Sequence, residues 1–217
     1  MSTNASQHPA PSPYQHPKRH PGAIAALQRT QTRRRRWHYL VAVLAVLTVA
    51  GVVTAMMLSS RPTSSAATRL APTFTLTDTA GHKVSLASDR GKNVLLYFSE
   101  GAGCGACLQQ MAAIEKDQPA FTKAGLTVLP IVMNTRDQIM GDMATYGVKT
   151  PFLLDDGTVS KEYGTLGKGM HEGLPGHSFV LIDKTGIQRW YGEYPSMWLS
   201  PSGVLSQVTR HLAATSK

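Results

Sequence analysis

Cys104 and Cys107 are the only two cysteines in the 217-residue chain, and they form a Cys-x-x-Cys pair. An apolar run, residues 94–98, leads into the pair, and a segment with helical periodicity follows it. Two thiols in this spacing at a strand-to-helix turn can cycle between a dithiol and a disulfide. The spacing therefore predicts a thiol–disulfide redox centre.

The two cysteines are expected to have different roles. Cys104 would lie at the helix N-terminus, where free N–H groups and the helix dipole stabilise a thiolate. Because such sites lower a cysteine pKa from about 8.5 to about 3.5–7.5, we expect Cys104 to be the attacking thiol. Cys107, one turn further on, can resolve the mixed disulfide. No cofactor or metal is expected, and the uncharged Gly105 and Ala106 leave the direction of electron flow open.

Other uses of a Cys-x-x-Cys pair meet obstacles in this sequence. A zinc site needs four ligands, and His171 and His177 would have to complete it at an unusual spacing. A c-type haem is excluded because Leu108, not histidine, follows the second cysteine. A purely structural disulfide across so short a loop constrains the unfolded chain little. Zinc binding and an inert disulfide stay open as alternatives.

The charge of the chain is concentrated before Leu70. Nine of the 22 Lys and Arg residues lie there and none of the 13 Asp and Glu residues, so the net charge of +9 belongs to this part. A nucleic-acid-binding protein would carry its basic surface on the folded domain, so nucleic acid is not an expected partner. Residues 1–36 contain few large apolar side chains and end in four arginines. We expect a disordered basic tail on the cytoplasmic side.

Residues 37–58 have the composition of a transmembrane helix. Residues 40–58 carry no charge, and about 20 residues at about 1.5 Å each span a hydrocarbon core of about 30 Å. Trp37 and Tyr39 fit a membrane interface beside the basic cluster. A cleaved signal peptide is the alternative, but no clear small-x-small cleavage sequence follows. We therefore predict a single-pass cell-membrane protein, in contact with lipid through residues 37–58, with the C-terminal part outside the cytoplasm.

The remainder is predicted to be a linker followed by one folded domain. Residues 59–70 have linker composition, and residues 71–217 are numerous enough for a single core. Strand and helix patterns alternate and close in a hairpin and a helix, which predicts an α/β sandwich with a mixed central sheet. The expected strands are 74–76, 83–86, 93–99, 126–133, 151–154, 178–183 and 187–191, and the expected helices are 107–116, 136–146, 159–163 and 201–214.

Five segments resemble, in order, motifs of the thioredoxin superfamily. The resemblance is to its redoxin branch, the peroxiredoxin-like (alkyl hydroperoxide reductase and thiol-specific antioxidant type) and membrane-anchored thioredoxin-like proteins. The segments are residues 71–76 (APxFxL), 78–86 (a D-x-x-G hairpin), 94–99, 155–164 (ending in Tyr-Gly) and 178–186 (a hairpin similar to TFLIDxxG). The resemblance implies a thioredoxin-like fold, thiol–disulfide exchange with protein thiols, and a separate redox partner that donates or accepts electrons.

The sequence departs from the peroxiredoxin pattern at the residues that bind peroxide. That pattern has Pro and Thr or Ser seven and three residues before the cysteine, where this chain has Tyr97 and Gly101 before Cys104. The later family arginine would fall at Gly176. Peroxide reduction is kept as an alternative function. Copper binding or transfer, which a relative of this fold performs with two cysteines and a later histidine, is kept as a second alternative.

Three further residues are candidates for auxiliary roles. Thioredoxins place a cis-proline opposite the cysteine pair, and the resemblance makes Pro175 the candidate. His177 would then lie near the dithiol, where it could assist proton transfer. Glu100, the one acid close before the pair, could exchange a proton with Cys107. A turn proline, a packing histidine and a solvated carboxylate stay open as alternative interpretations.

Overall fold

The structure, a computed structural model, describes residues 21–66 and 68–214, with side chains described from Arg34 onward except at residue 67. It divides after Ala55 into two compact units. The described residues of the N-terminal unit are helical, and the C-terminal unit contains the sheet and the cysteines.

The first helix, α1, runs from Pro21 to Ser59. Its segment Arg34–Ser59 is long and apolar enough to cross a membrane, with a mean hydropathy of 2.5, although a signal sequence near the N-terminus would pass the same test. The helix begins earlier than predicted. Residues 21–36, which were expected to be disordered, are helical. Pro21 suits a first helical position, and the Ala, Leu, Gln and Arg residues that follow favour helix. The rest of the predicted tail, residues 1–20, lies outside the described residues.

A mixed sheet forms the centre of the C-terminal unit. Nine strands of the described chain pair in the order β1-β9-β8-β5-β6-β7-β3-β4, with β2 also paired to β9. Strands β5, β6 and β7 are parallel, and the other pairs are antiparallel. The strands are β1 (Thr63–Ser65), β2 (Arg69–Leu70), β3 (Thr75–Asp78), β4 (Lys83–Ser85), β5 (Asn93–Phe98), β6 (Leu126–Val132), β7 (Leu153–Leu154), β8 (Ser178–Ile182) and β9 (Ile187–Glu193).

Helices cover both faces of this sheet, as the α/β sandwich prediction requires. Strand β5 lies between β8 and β6, and all its residues are buried. Its side chains alternate: Leu95 and Tyr97 pack with the larger helices, whereas Val94, Leu96 and Phe98 pack on the opposite face. The helices are α2 (Gly105–Lys116), α3 (Gln118–Lys123), α4 (Arg136–Tyr146), α5 (Thr158–Glu162) and α6 (Pro201–Ala213). The predicted fold class is confirmed.

The capping residues explain why two helices have the bounds that the sequence predicts. Helix α4 begins after Thr135, whose side chain and that of Gln138 form a capping box, and it ends at Gly147 with φ +70°. Helix α6 follows Ser200, whose hydroxyl accepts the N–H of Gly203. These local signals fix helix ends without help from tertiary packing.

One prediction about a connecting segment is wrong. The predicted linker 59–70 contains β1 and β2, which pair with β9, and the Trp190 indole N–H donates to the Ser64 hydroxyl at 2.9 Å. The polar composition of this segment hides the strands, because an open sheet edge can recruit almost any extended backbone. Helix α2 ends at Lys116, as the sequence predicts, and Pro119 lies in the first turn of the short helix α3 that follows, where its missing N–H costs nothing.

Candidate active site

Cys104 and Cys107 form a disulfide at the N-terminus of α2, just beyond the carboxyl end of β5. Their Cα atoms are 5.3 Å apart. Cys104 is the N-cap residue of α2, and its sulfur accepts the N–H of Cys107 at 3.3 Å. In the reduced protein, the same N–H and the positive end of the helix would stabilise a thiolate at Cys104.

The two sulfurs differ in accessibility. Cys104 is half-buried, whereas Cys107 is only 1% exposed and packs in the larger core cluster. An external disulfide can therefore approach Cys104, while Cys107 can react only with a sulfur already held at Cys104. This asymmetry fits the order of reaction that the sequence predicts, and that order stays a prediction.

Two side chains that the sequence analysis missed hold the loop before Cys104. The Ala102 N–H donates to Asn134 Oδ1 at 2.8 Å, and the Gly103 N–H donates to Asp142 Oδ2 at 2.7 Å. Asn134 follows β6, the parallel neighbour of β5, so its proximity could have been found from the rule that parallel strand ends meet at one edge. Asp142 lies in the middle of α4, and no sequence signal points to it.

Gly101 and Gly105 allow these neighbours to come close. Gly101 has φ +73°, and a Cβ there would lie 2.0 Å from Asn134 Oδ1. A Cβ at Gly105, between the cysteines, would lie 2.3 Å from the Tyr146 hydroxyl. Tyr146 therefore lies against the first turn of α2, and it was also missed by the sequence analysis.

A buried polar chain leads from His177 to the backbone of Cys107. The Tyr97 hydroxyl donates to the Cys107 carbonyl at 3.1 Å and lies 3.2 Å from His177 Nδ1. Because the hydroxyl has one proton, His177 Nδ1 is the donor in the second bond, which assigns the Nδ1–H tautomer. Burial lowers the pKa of His177 to about 4 and raises the pKa of Tyr97, so both are neutral near pH 7.

His177 Nε2 is buried and has no hydrogen-bond partner among the described residues. In the assigned tautomer this atom carries a lone pair, so it can accept a proton. The neutral His177 is thus connected to the backbone of Cys107 through the Tyr97 hydroxyl. Its predicted part in proton transfer stays a prediction.

Glu100 is buried, 1% exposed, and its carboxylate is held by the loop that follows α5. Oε1 accepts the backbone N–H groups of Met170 and His171, and Oε2 lies 2.6 Å from His171 Nδ1. The interpretation of a solvated carboxylate is therefore wrong. Both oxygens contact the loop, and proton exchange with Cys107 stays a prediction.

Pro175 is buried next to His177 and forms an isolated bridge with Leu166. The following residue, Gly176, donates its N–H to the Thr165 carbonyl. The described residues contain no cis peptide bond, so Pro175 does not have the cis geometry of the thioredoxin proline for which it was a candidate. An auxiliary role for this proline stays a prediction.

Residues 67–191 match the AhpC/TSA family. This match covers more than half of the chain and includes β5, both cysteines, β8 and most of β9. The chain belongs to the AhpC/TSA family. The predicted redoxin resemblance is thereby confirmed.

The relatives with curated names fall into two groups. Chloroplastic peroxiredoxin Q of Sedum lineare is 32% identical over 117 residues, covering 54% of this chain and 62% of the relative. Thiol-disulfide oxidoreductase ResA of Bacillus thuringiensis is 30% identical over 142 residues, covering 64% of this chain and 76% of the relative. The chain thus spans less than two thirds of the length of the peroxiredoxin Q relative and about three quarters of the length of ResA.

Solved structures share the fold. A reduced 2-Cys peroxiredoxin of Plasmodium vivax superimposes with a TM-score of 0.62 at 21% identity, covering 70% of this chain and all of the other. The thioredoxin domain of a thiol-disulfide oxidoreductase of Bacteroides vulgatus has a TM-score of 0.51 at 24% identity, covering 67% of this chain and 98% of the other. At these identities the likeness supports the thioredoxin-like fold alone.

Within the AhpC/TSA family, this chain has no arginine at the position expected for peroxide binding, where Gly176 lies. Gly176 packs closely on the Lys168 backbone, since a Cβ there would lie 2.7 Å from the Lys168 carbonyl oxygen. Four arginines of the C-terminal unit donate to groups elsewhere, namely Arg69 to Gln188 and Glu162, Arg90 to Thr185, Arg136 to Thr79, and Arg189 to Asp183. These four guanidinium groups are therefore bound to other residues and do not stand in for the missing peroxide-binding arginine.

The two histidines considered as metal ligands are directed to other partners. His171 contacts Glu100, and His177 contacts Tyr97. In the part of the chain that the structure describes, no group of three or more His, Cys, Asp or Glu side chains is arranged to hold a metal ion. The geometry therefore gives no support to the zinc and copper alternatives.

Proposed function

We propose that this chain is a membrane-anchored thiol–disulfide oxidoreductase that works through the Cys104–Cys107 dithiol. The observation that carries the proposal is the asymmetric pair, with Cys104 half-buried at the N-cap of α2 and Cys107 enclosed behind it. The ResA relative, which carries the same activity in its name, supports it. Protein thiols and disulfides are the proposed substrates, and no cofactor takes part.

The proposed reaction has two exchange steps. The Cys104 thiolate attacks a substrate disulfide, forming a mixed disulfide and releasing one substrate thiolate. Cys107 then loses its proton and attacks the Cys104 sulfur, which forms the intramolecular disulfide and releases the second substrate thiolate. The substrate gains two electrons and two protons in total, so a partner dithiol must reduce Cys104–Cys107 before the next cycle. In the opposite direction, a substrate dithiol reduces this disulfide and a partner disulfide restores it.

Reduction of insulin disulfides by the full-length protein, with a thiol reductant in excess, tests the activity. Cys104→Ser should abolish turnover, since no nucleophile is left at the accessible position. Cys107→Ser should also stop turnover but should accumulate a mixed disulfide with the substrate, visible on a non-reducing gel. Turnover that persists in the Cys104→Ser variant would overturn the proposed order of attack.

Peroxide reduction is the second candidate function, favoured by the peroxiredoxin Q relatives. The Cys104 thiolate would attack one oxygen of the peroxide, breaking the O–O bond, releasing the other oxygen as an alcohol or water and forming a sulfenic acid. Cys107 then converts the sulfenic acid to the disulfide with loss of water. A single-turnover measurement of peroxide consumption by the reduced protein separates the two functions. Rapid consumption without insulin reduction would favour the peroxidase, and insulin reduction with slow consumption would favour the oxidoreductase.

We also propose that residues 37–58 anchor the protein in the cell membrane, with the N-terminus cytoplasmic and the cysteines outside. The apolar helix and the arginines before it support this orientation. Because the chain has only two cysteines, a membrane-impermeant maleimide applied to reduced intact cells reports their location directly. Labelling only after lysis would contradict the orientation, and release of the protein by high salt would contradict the anchor. Nucleic acid is not a proposed partner.

A further inference from the structure

The backbone before the attacking cysteine contacts a carboxylate. Asp142 Oδ2 accepts the N–H of Gly103, the residue that precedes Cys104, at 2.7 Å. Asp142 is half-buried in the middle of α4, and it has no cationic partner among the described residues. This carboxylate therefore contacts the residue directly before Cys104, whose sulfur must become a thiolate.

Other groups near the cysteines do not cancel this charge. Glu100 contacts His171 in the loop after α5. His177 and Tyr97 are neutral, and they contact the Cys107 backbone. The N-terminus of α2 attracts a thiolate at Cys104, and Asp142 opposes that attraction.

We propose that Asp142 is a positioning residue that biases the Cys104–Cys107 pair toward donating electrons, so that the protein acts as a disulfide reductase. This inference rests on the proposed oxidoreductase function and gives it a direction. A nearby carboxylate destabilises the thiolate, which occurs only in the reduced protein. It therefore favours the disulfide form of this protein and makes its dithiol the stronger reductant.

The reaction so biased is the reduction of a substrate disulfide to two thiols, while the Cys104–Cys107 dithiol becomes a disulfide. The two electrons and two protons come from a donor dithiol on a partner protein, which restores the dithiol. The hydrogen bond from Gly103 keeps the carboxylate next to the loop, so its charge acts at a fixed position. A solvent-exposed acid elsewhere on α4 has no such fixed position.

Asp142→Asn tests this inference because it removes the charge and keeps an oxygen that can accept the Gly103 N–H. The matched control is Asp137→Asn, which removes the same charge from the same helix at a fully solvated side chain, 97% exposed. The full-length protein in detergent is equilibrated with reduced and oxidised glutathione, and the fraction of dithiol is measured by alkylation. The Cys104 thiol pKa is measured separately from iodoacetamide rates in a Cys107→Ser background.

For one partly screened charge, we expect Asp142→Asn to shift the equilibrium about three- to tenfold toward the dithiol. A tenfold shift corresponds to a reduction potential about 30 mV less negative. The shift should be larger at pH 9 than at pH 6, because only the thiolate senses the charge, and it should shrink at high salt. The Cys104 pKa should fall in the same variant, and Asp137→Asn should change neither quantity.

Equal reduction potentials in the two variants would overturn the inference. A shift in Asp142→Asn that is independent of both pH and salt would indicate a structural effect, and it would also overturn the inference. A more negative potential in Asp142→Asn would also overturn it. Because the glutathione equilibrium needs no protein substrate, this test can fail while insulin reduction succeeds. Conversely, if the wild-type protein does not reduce insulin, the proposed function is refuted, but the measured effect of Asp142 on the Cys104–Cys107 equilibrium still stands.

Discussion

Gly101→Ala should destabilise the protein by disturbing the loop that carries Cys104. Gly101 has φ +73°, where a side chain costs about 1–2 kcal/mol. The new Cβ would lie 2.0 Å from Asn134 Oδ1 and 2.8 Å from Val132 Cγ1, so Asn134 must move. Its displacement breaks the bond from the Ala102 N–H, and an unsatisfied amide costs about 1–3 kcal/mol. The expected loss of unfolding free energy is about 2–5 kcal/mol.

Gly103→Ala is the matched control for this substitution. Gly103 also has a positive φ, +86°, but a Cβ there would meet no atom within 4 Å. Its cost should therefore be limited to the backbone term of about 1–2 kcal/mol. The difference between the two variants isolates the contact between Gly101 and Asn134.

Urea unfolding of the full-length, oxidised protein in detergent, followed by tryptophan fluorescence, measures both costs. Comparable midpoints for Gly101→Ala and Gly103→Ala, with unchanged slopes, would show that Asn134 moves aside freely, and the reasoning would be refuted. In the reduced protein, Gly101→Ala should also change the alkylation rate of Cys104 more than Gly103→Ala does, because the loop loses one of its two side-chain anchors.

Two further predictions concern the buried groups around the cysteines. Because burial holds the pKa of His177 near 4, below its usual value of about 6.5, its contribution to stability is complete above pH 6.5. It should fall by up to about 3 kcal/mol between pH 6.5 and 4, and His177→Gln should flatten this part of the urea stability profile. If Glu100 anchors the loop after α5, Glu100→Gln and His171→Gln should both speed proteolysis between residues 167 and 173. If Glu100 instead exchanges protons with Cys107, Glu100→Gln alone should slow insulin reduction.

Features with a local cause could be predicted from the sequence. The strand-to-helix position of the cysteines, the bounds of α4 and the Ser200 cap of α6 each depend on neighbouring residues in the chain. The proposed order of reaction of Cys104 and Cys107 depends only on their positions at the start of a helix. These features need only backbone chemistry that short motifs encode.

Features that depend on contacts between distant segments could not be predicted. Asp142 lies 39 residues after Gly103 in the chain, and its role appears only when α4 packs beside α2. The burial of Glu100 likewise depends on a loop about 70 residues later. The strands in the predicted linker were missed for the same reason, since only the free edge of β9 makes them strands. From composition alone such residues are expected to be solvated, whereas tertiary packing gives them specific partners.

The two cysteines are controlled from opposite neighbours of β5. On the β6 side, Asn134 and Asp142 contact the backbone before Cys104 with a polar and a charged group. On the β8 side, the neutral His177–Tyr97 pair contacts the backbone of Cys107 in the core. In our proposal the Asp142 charge acts on the Cys104 sulfur, whereas Cys107 lies in the buried core beside neutral side chains. Substitution of Asp142 should therefore change the redox equilibrium, whereas substitution of His177 should change stability and the rate at which Cys107 gives up its proton.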